Sequence, residues 1–384
     1  MEVGRGLIGV LLWAAAWTAC GEAPPPTTPP AAPADETIPT SLLALGYGGE
    51  AKDVRAPGVT IRTARAGSEV LLTTDGAERC LAFDRSGKII WSQKVPGRNR
   101  VEYFAPLPDG GILALSTDEG VTRLNPAGQV LWQANCSAHH ELCPTDGGAF
   151  LTATHTTRTY CGRRVRFDEV LRIDSSGQKS LLLDLFEIRA QIIPLTAESP
   201  LDRDASGPTT AVYDRFHLNS IQVLPESDAH TPDGRFAPGN LLLCLRNANL
   251  VLVVNPETSQ VLWHLVGVDL DRPHGARMNG AGELSIFDNG WHRGRSRVLL
   301  LNILTGEVLR IEDGGDQPFF TRTRGFAQQL GQKRLLVTLS EQGRVLEFDG
   351  EGNLAYEWNT PLHSQGARSA LYRVMAAPPD FPPN

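Results

Sequence analysis

One short pattern returns six times along the chain and limits what it can fold into. FDRSGKIIW (83–91) matches LNPAGQVLW (124–132), and IDSSGQKSL (173–181) fits the frame with Leu in place of Trp. VNPETSQVLW (254–263) and LNILTGEVLR (301–310) are one residue longer; FDGEGNLAY (348–356) returns to the short form. Each copy is an apolar residue, an Asp or Asn, a turn, and a second apolar strand. Asp and Asn side chains bond back to the turn backbone and Gly supplies positive φ, so each copy reads as a β-hairpin. The turn-opening residues fall at 84, 125, 174, 255, 302 and 349, in steps of 41, 49, 81, 47 and 47 residues. Forty-odd residues suit one four-stranded blade, which predicts an all-β, six-bladed β-propeller. The long step holds residues 185–210 and 225–239, read as insertions that shape the mouth of the channel. Trp91, Trp132 and Trp263 are expected between neighbouring blades. ALYRVMA (370–376) is expected to complete the blade begun near the N-terminus, as ring closure requires. The 38 Gly and 27 Pro favour many turns and short strands over long helices.

The first residues stand apart from the fold. Arg5, the apolar run LIGVLLWAAAW and TAC ending at Cys20 read as a secretory signal. The run is too short for a comfortable membrane span. The small residue before Cys20 resembles the lipobox of bacterial lipoproteins, in which that Cys carries the acyl chains; Trp17 departs from the usual Leu. Ordinary cleavage near Ala19 is the alternative. Residues 21–39, rich in Pro, Ala and Thr, read as an extended tether. The expected organisation is a signal over 1–20, a linker over 21–39 and the propeller over 40–384. That implies an exported domain, periplasmic or on the cell surface, lipid-anchored to a bacterial membrane. A net charge of −7 with no basic run excludes a nucleic-acid partner. Export permits disulfides, and Cys136 and Cys143, bracketing SAHHEL, are the pair expected to bridge. A zinc reading of that stretch is discounted, because eight residues can hardly wrap one tetrahedral ion.

Polar side chains gather in four otherwise apolar, strand-like stretches: His139 and His140 in CSAHHELC, His217 and Asn219 in FHLNS, Arg246 in LLLCLRNANL, and His274 in LDRPHGARM. Residues alternate faces along a strand, so His217 and Asn219 are expected on one face, turned toward the channel axis. A hydrogen-bonded pair within a blade is the alternative. An Arg in so apolar a setting calls for an anion or a carboxylate. His, Asn and Arg side chains converging without an obvious carboxylate suit an oxyanion better than a metal cation.

These stretches resemble the bacterial arylsulfotransferases, six-bladed propellers that move a sulfuryl group between phenols without a nucleotide donor. The likeness runs from about Leu81 to Tyr372 and is carried by HHELCPTDGGAFL, YDRFHLNSIQVL, NLLLCLRNANLVLVVNPETSQVLWHLVG and PHGARMNGAGELSIFDNG, in family order. The resemblance implies His274 as the nucleophile that becomes a sulfohistidine. It implies Arg246, His217 and Asn219 as residues that hold the sulfuryl oxygens or move protons. His140 rather than His139 matches the remaining active-site histidine. Pro273 stands where the family usually has Gln, and His292 is the nearest spare imidazole. The implied partners are a phenolic sulfate donor and a phenolic acceptor, with no cofactor. Two other classes fit the fold: a non-catalytic tethered propeller serving binding or scaffolding, and a quinone-dependent dehydrogenase. The second lacks a carboxylate and Asn set for a calcium ion.

Overall fold

Each of the six sequence patterns closes the outer hairpin of one blade. In the computed structural model, which describes residues 57–63, 66–196, 202–203, 212–364, 367–368 and 370–382, the turn-opening carboxylate or amide accepts backbone N–H groups two to four residues on. Asp84 Oδ1 accepts from Ser86 N at 2.9 Å, Asn125 from Gln129 N at 2.9 Å, and Asp174 from Ser176 N at 2.9 Å. Asn255, Asn302 and Asp349 do the same for Glu257, Leu304 and Glu351. The side chain thus replaces the backbone partner a tight turn would lack.

The sheets form a six-bladed β-propeller. Blades 2, 4 and 5 are four-stranded meanders, and blade 3 carries extra short strands beyond the same core. The inner strands are Val101–Pro106 in blade 2, His139–Pro144 in blade 3, Leu218–Val223 in blade 4, Pro273–Met278 in blade 5 and Phe326–Gln329 in blade 6. Blade 1 takes its inner strand from the C-terminal segment: Met375–Ala376 pairs with Leu71–Thr74, Leu71 opposite Ala376. The expected closure is therefore the one formed. At the other end, Gly58–Ile61 adds a fifth, outer strand to blade 6. The first and last described strands thus join blades 6 and 1 and close the ring.

The core is a set of wedges between consecutive blades. One wedge packs Leu151, Phe167 and Val170 of blade 3 against Leu218, Leu243 and Leu252 of blade 4. Another packs Leu242, Val251 and Val253 against Ala276, Leu284 and Leu299 of blade 5. The tryptophans lie there, as expected. Trp132 of blade 2 stacks on Phe150 of blade 3, centroids 5.9 Å apart, and its Nε1–H donates to Ser175 O at 2.9 Å. Gly177, at φ 86, sits beneath that ring; a Cβ there would come within 2.9 Å of it. Trp91 meets Phe104 of the next blade, and Trp263 meets Phe236.

The insertions depart from expectation. Leu185, Ile188 and Ile192 pack into the wedge between blades 3 and 4, and Ala229 and Phe236 into that between blades 4 and 5. Their described parts plug wedges rather than shape a mouth, because their apolar side chains bury more surface between blades than over an open channel. The proposed signal, Cys20 and the linker 21–39 lie outside the described residues. Among the described residues, no helix is long and apolar enough to cross a membrane.

Candidate active site

The inner strands start at one mouth of the channel, and their pairing is irregular there. The register slips between Val101 and Tyr103, between Leu218 and Ser220, between His274 and Arg277, and between Leu151 and Ala153 opposite His140. Such bulges bend a strand and re-aim its side chains. His140, His217, Arg272 and Arg324 all have left-handed backbone, at φ 65, 56, 59 and 60. Non-Gly residues adopt that region at a cost, and such strain gathers where function fixes a side chain. His217 precedes the strand, which begins at Leu218, and the slip at Asn219 breaks the alternation. The expected shared face is therefore corrected: a turn, not strand periodicity, brings His217 to the channel.

His274 lies in the inner strand of blade 5, opposite Phe287, and is 5% exposed. Its Nδ1 is 2.6 Å from Asn289 Oδ1 and 3.1 Å from the Arg272 carbonyl. Asn289 spends its amide N–H groups on the carbonyls of Thr321, at 2.8 Å, and Arg324, at 2.9 Å. Its oxygen therefore faces the imidazole and can only accept. Both partners of Nδ1 are acceptors, so Nδ1 carries the proton and Nε2 the lone pair. Pro273 occupies the first position of the strand, where the missing N–H breaks no interior ladder. Its carbonyl accepts from Asn219 Nδ2 at 2.8 Å. Asn219 thus braces the start of the His274 strand from blade 4.

Arg246 follows Leu245, the last residue of the second strand of blade 4. It is half-buried on a short turn, not buried within a strand as its apolar neighbours suggest. Its backbone N–H donates to His217 O at 3.1 Å, which ties the turn to the histidine. Its guanidinium donates to Asn247 Oδ1 at 2.7 Å, and its charge reaches His274.

The other two histidines form a chain. Asp214 Oδ2 takes the Nδ1–H of His217 at 2.5 Å; His217 Nε2 is 3.2 Å from His140 Nε2; His140 Nδ1 is 2.5 Å from the Tyr372 hydroxyl. Two imidazole nitrogens meet at that distance only with a proton between them, since two lone pairs repel. One N–H is therefore shared between the two Nε2 atoms, and Asp214 closes the far end of the chain. Burial pushes the Asp214 carboxyl up, but the charges of His217 and Arg166 outweigh it and hold it at about 2. His139 turns away from this chain, its Nε2 3.6 Å from Asp168.

Burial drives the imidazoles toward the neutral form. His274 lies well below its ordinary value through burial, then the nearby Arg246 charge. His140 lies well below through burial and His139, and His139 falls to about 3 through burial and His155. The unfolded chain binds these protons near pH 6.5 and the folded one resists them, so their stability contribution is full above that pH and lost as pH falls toward 3. Asp168, Asp288 and Glu312, each raised by burial, work in the opposite sense, whereas Glu141 and Asp214, held low against burial by paired charges, add to the loss on acidification. Denaturant midpoints are expected to drop steadily between pH 6.5 and about 4; a flat profile there contradicts the burial of neutral imidazoles.

Beneath the site lies a buried ion cluster. Glu141, 1% exposed, takes Arg373 Nη1 at 3.1 Å on one oxygen and Arg277 on the other. Arg373 packs over the rings of Phe326, at 4.3 Å, and Tyr103, at 4.7 Å, and also donates to the His140 carbonyl at 3.5 Å. On its far side a cavity of about 310 Å³ opens between the inner strands' other ends, lined by Gln222, Met278 and Gln329 among others.

The remaining expectations divide. His292 sits on an exposed loop, its Nδ1 2.8 Å from Asp271. Cys136 and Cys143 are free thiols, so the expected bridge is not formed. Cys143 lies within the inner strand of blade 3 and Cys136 before it. The two thiols have separate partners: Cys136 Sγ meets the Ala134 carbonyl at 3.7 Å, and Cys143 Sγ accepts the Val223 N–H at 3.3 Å. Among the described residues, no group of three or more His, Cys, Asp or Glu is placed to hold a metal. Sequence reasoning missed Asp214, Asn289 and Tyr372. The first two stood inside DRFHLNS and FDNG, where their fixed spacing to His217 and the strand end was a signal; Tyr372 had none.

The model of the arylsulfotransferase (ASST) family matches residues 105–360, two thirds of the chain. The chain belongs to the arylsulfotransferase family. As an arylsulfotransferase-family protein it is a transferase in kind, with phenolic substrates in general. A second model, for outer membrane protein assembly factor BamB, matches residues 9–143, under half of the chain. No curated protein matches the chain. Solved propellers are similar in outline only. A protein of unknown function from Bacteroides caccae is 13% identical, with TM-score 0.46, covering 79% of this chain and 98% of that one. The nidogen/laminin complex gives 14%, 0.49, 81% and 99%, and a streptogramin B lyase 12%, 0.46, 81% and 90%. None of these carries an argument about the reaction.

Proposed function

We propose that this protein transfers a sulfuryl group from a phenolic sulfate ester to a phenol through a sulfohistidine at His274, without a nucleotide donor. The single supporting observation is the fixed imidazole: Asn289 and the Arg272 carbonyl hold the Nδ1 proton, so a neutral Nε2 lone pair stands beside the Arg246 charge. In the first half-reaction that lone pair attacks sulfur while the S–O bond to the aryl group breaks. The phenolate leaves with the bonding pair and takes the proton shared by His217 and His140. In the second, the acceptor phenol returns a proton to the pair, its oxygen attacks sulfur, and the N–S bond breaks to restore Nε2. Such transfer has a loose, charge-dispersed transition state, so positioning and electrostatics carry the catalysis. Arg246 supplies the charge that the sulfuryl oxygens meet, and Asn219 keeps the nucleophile's strand in place.

Arg246→Ala is expected to cut kcat/KM by about two powers of ten or more, as for other lost oxyanion contacts. Steady-state rates with 4-nitrophenyl sulfate and phenol, on a variant shown to be folded, measure this; a change under threefold contradicts the role. We further propose that residues 1–39 export the domain and anchor it through Cys20 to a bacterial membrane, which metabolic labelling with a fatty-acid probe in a bacterial host tests. The second reading, a tethered propeller without catalysis, predicts no phenol-dependent nitrophenol release from a folded sample.

A further inference from the structure

Three guanidinium groups gather around one indole just outside His274. Arg322 lies 4.6 Å from the Trp291 ring centroid, Arg272 5.8 Å and Arg246 5.9 Å. Each element of this cluster is chained to the nucleophile. Trp291 is two residues past Asn289, the Nδ1 partner of His274. The Arg272 carbonyl is the second acceptor of Nδ1. Arg322 follows Thr321, whose carbonyl anchors Asn289. Trp291 is half-buried and Arg322 exposed, so the cluster faces the mouth from which a substrate must enter. Arg246 and Arg272 both donate to Asn247 Oδ1, at 2.7 and 2.8 Å, which fixes their spacing. Glu341 takes only the backbone N–H of Arg322, at 2.8 Å; among the described residues, no ion pair engages the Arg322 guanidinium.

We propose, building on the sulfuryl-transfer reading above, that Trp291 with Arg322 selects phenols and phenolic sulfates carrying a second anionic group, such as a carboxylate or sulfonate, across the ring from the reacting oxygen. The reacting oxygen must lie between His274 and Arg246. An aryl ring projecting outward from there reaches the indole, a flat apolar face on which aromatic rings pack offset or edge-on. Arg322, its guanidinium over the ring and in no ion pair among the described residues, can offer an anion two parallel donors. A neutral phenol uses the indole alone, whereas a substituent charge also meets Arg322.

Binding of 4-hydroxybenzoate and of its neutral isostere 4-hydroxybenzamide to the purified protein tests this by calorimetry, without turnover. The carboxylate is expected to bind the wild type about fivefold or more tightly than the amide. Arg322→Gln removes most of that preference, in line with a contact that is partly solvated. Arg79→Gln, an exposed charge on blade 1, controls for net charge and keeps the preference. Equal affinities in the wild type, or equal losses in both variants, overturn the proposal. Transfer from 4-nitrophenyl sulfate to the same two phenols is run in parallel. If neither accepts, the sulfuryl-transfer reading fails on its own, and the binding ratio still decides whether the mouth recognises aryl anions.

Discussion

His274→Ala is expected to lower phenol-dependent release of nitrophenol from 4-nitrophenyl sulfate by about four to six powers of ten, the scale seen when a covalent nucleophile is removed. The same variant should fail to acquire mass. Wild-type protein mixed with donor alone should gain the increment of one sulfuryl group, and the alanine variant none. The variant is a clean probe of chemistry because the bulge between His274 and Arg277 leaves the start of the strand held by Asn219 on the Pro273 carbonyl. Wild-type activity that survives in the variant would move the nucleophile elsewhere. Loss of activity together with a retained adduct would make His274 a bystander to a different covalent centre.

Glu141→Leu is expected to destabilise the fold by about 3 kcal/mol or more, because it leaves two guanidinium groups facing each other without their carboxylate. Burial alone would raise the Glu141 carboxyl, and the paired charges of Arg277 and Arg373 nevertheless hold it below its ordinary value. The effect should sit toward the lower end of the range for broken buried pairs, since Arg277 retains some contact with water. Urea denaturation measures it, and Glu141→Leu with Arg373→Met should recover part of the loss by removing one stranded charge. A single-variant change below 1 kcal/mol would show that water solvates the cluster through the cavity beneath it. Transfer activity should fall as well, because Arg373 also holds the His140 carbonyl.

The blade hairpins were legible in the chain because a turn is a local problem. Asp84, Asn125 and Asp174 solve it with bonds to residues two to four positions away, so spacing alone reveals it. The interblade tryptophans followed from the same repeat, and the C-terminal closing strand from the need of a ring to close. His274, Arg246, His217 and His140 were legible as polar residues in apolar surroundings, and the structure brings them to one mouth. Asn289 and Asp214 escaped notice because their importance lies in which imidazole N–H they accept, a relation across a bulge or a left-handed turn. Tyr372 reaches His140 from 232 residues away, and only the closing strand puts it there.

The disulfide between Cys136 and Cys143 illustrates the opposite failure. Nearness in sequence suggested a bond, and the fold gave the two thiols different partners. The sequence by itself determined the propeller, its six turns and the kinds of side chain available at the hub, since these depend on bonds among near neighbours and on which residues shun water. Only the tertiary structure decided which imidazole keeps a free lone pair, which pair shares a proton, and which charges stand at the mouth. Those depend on donors and acceptors supplied by different blades, and their orientation is fixed only when the ring is closed.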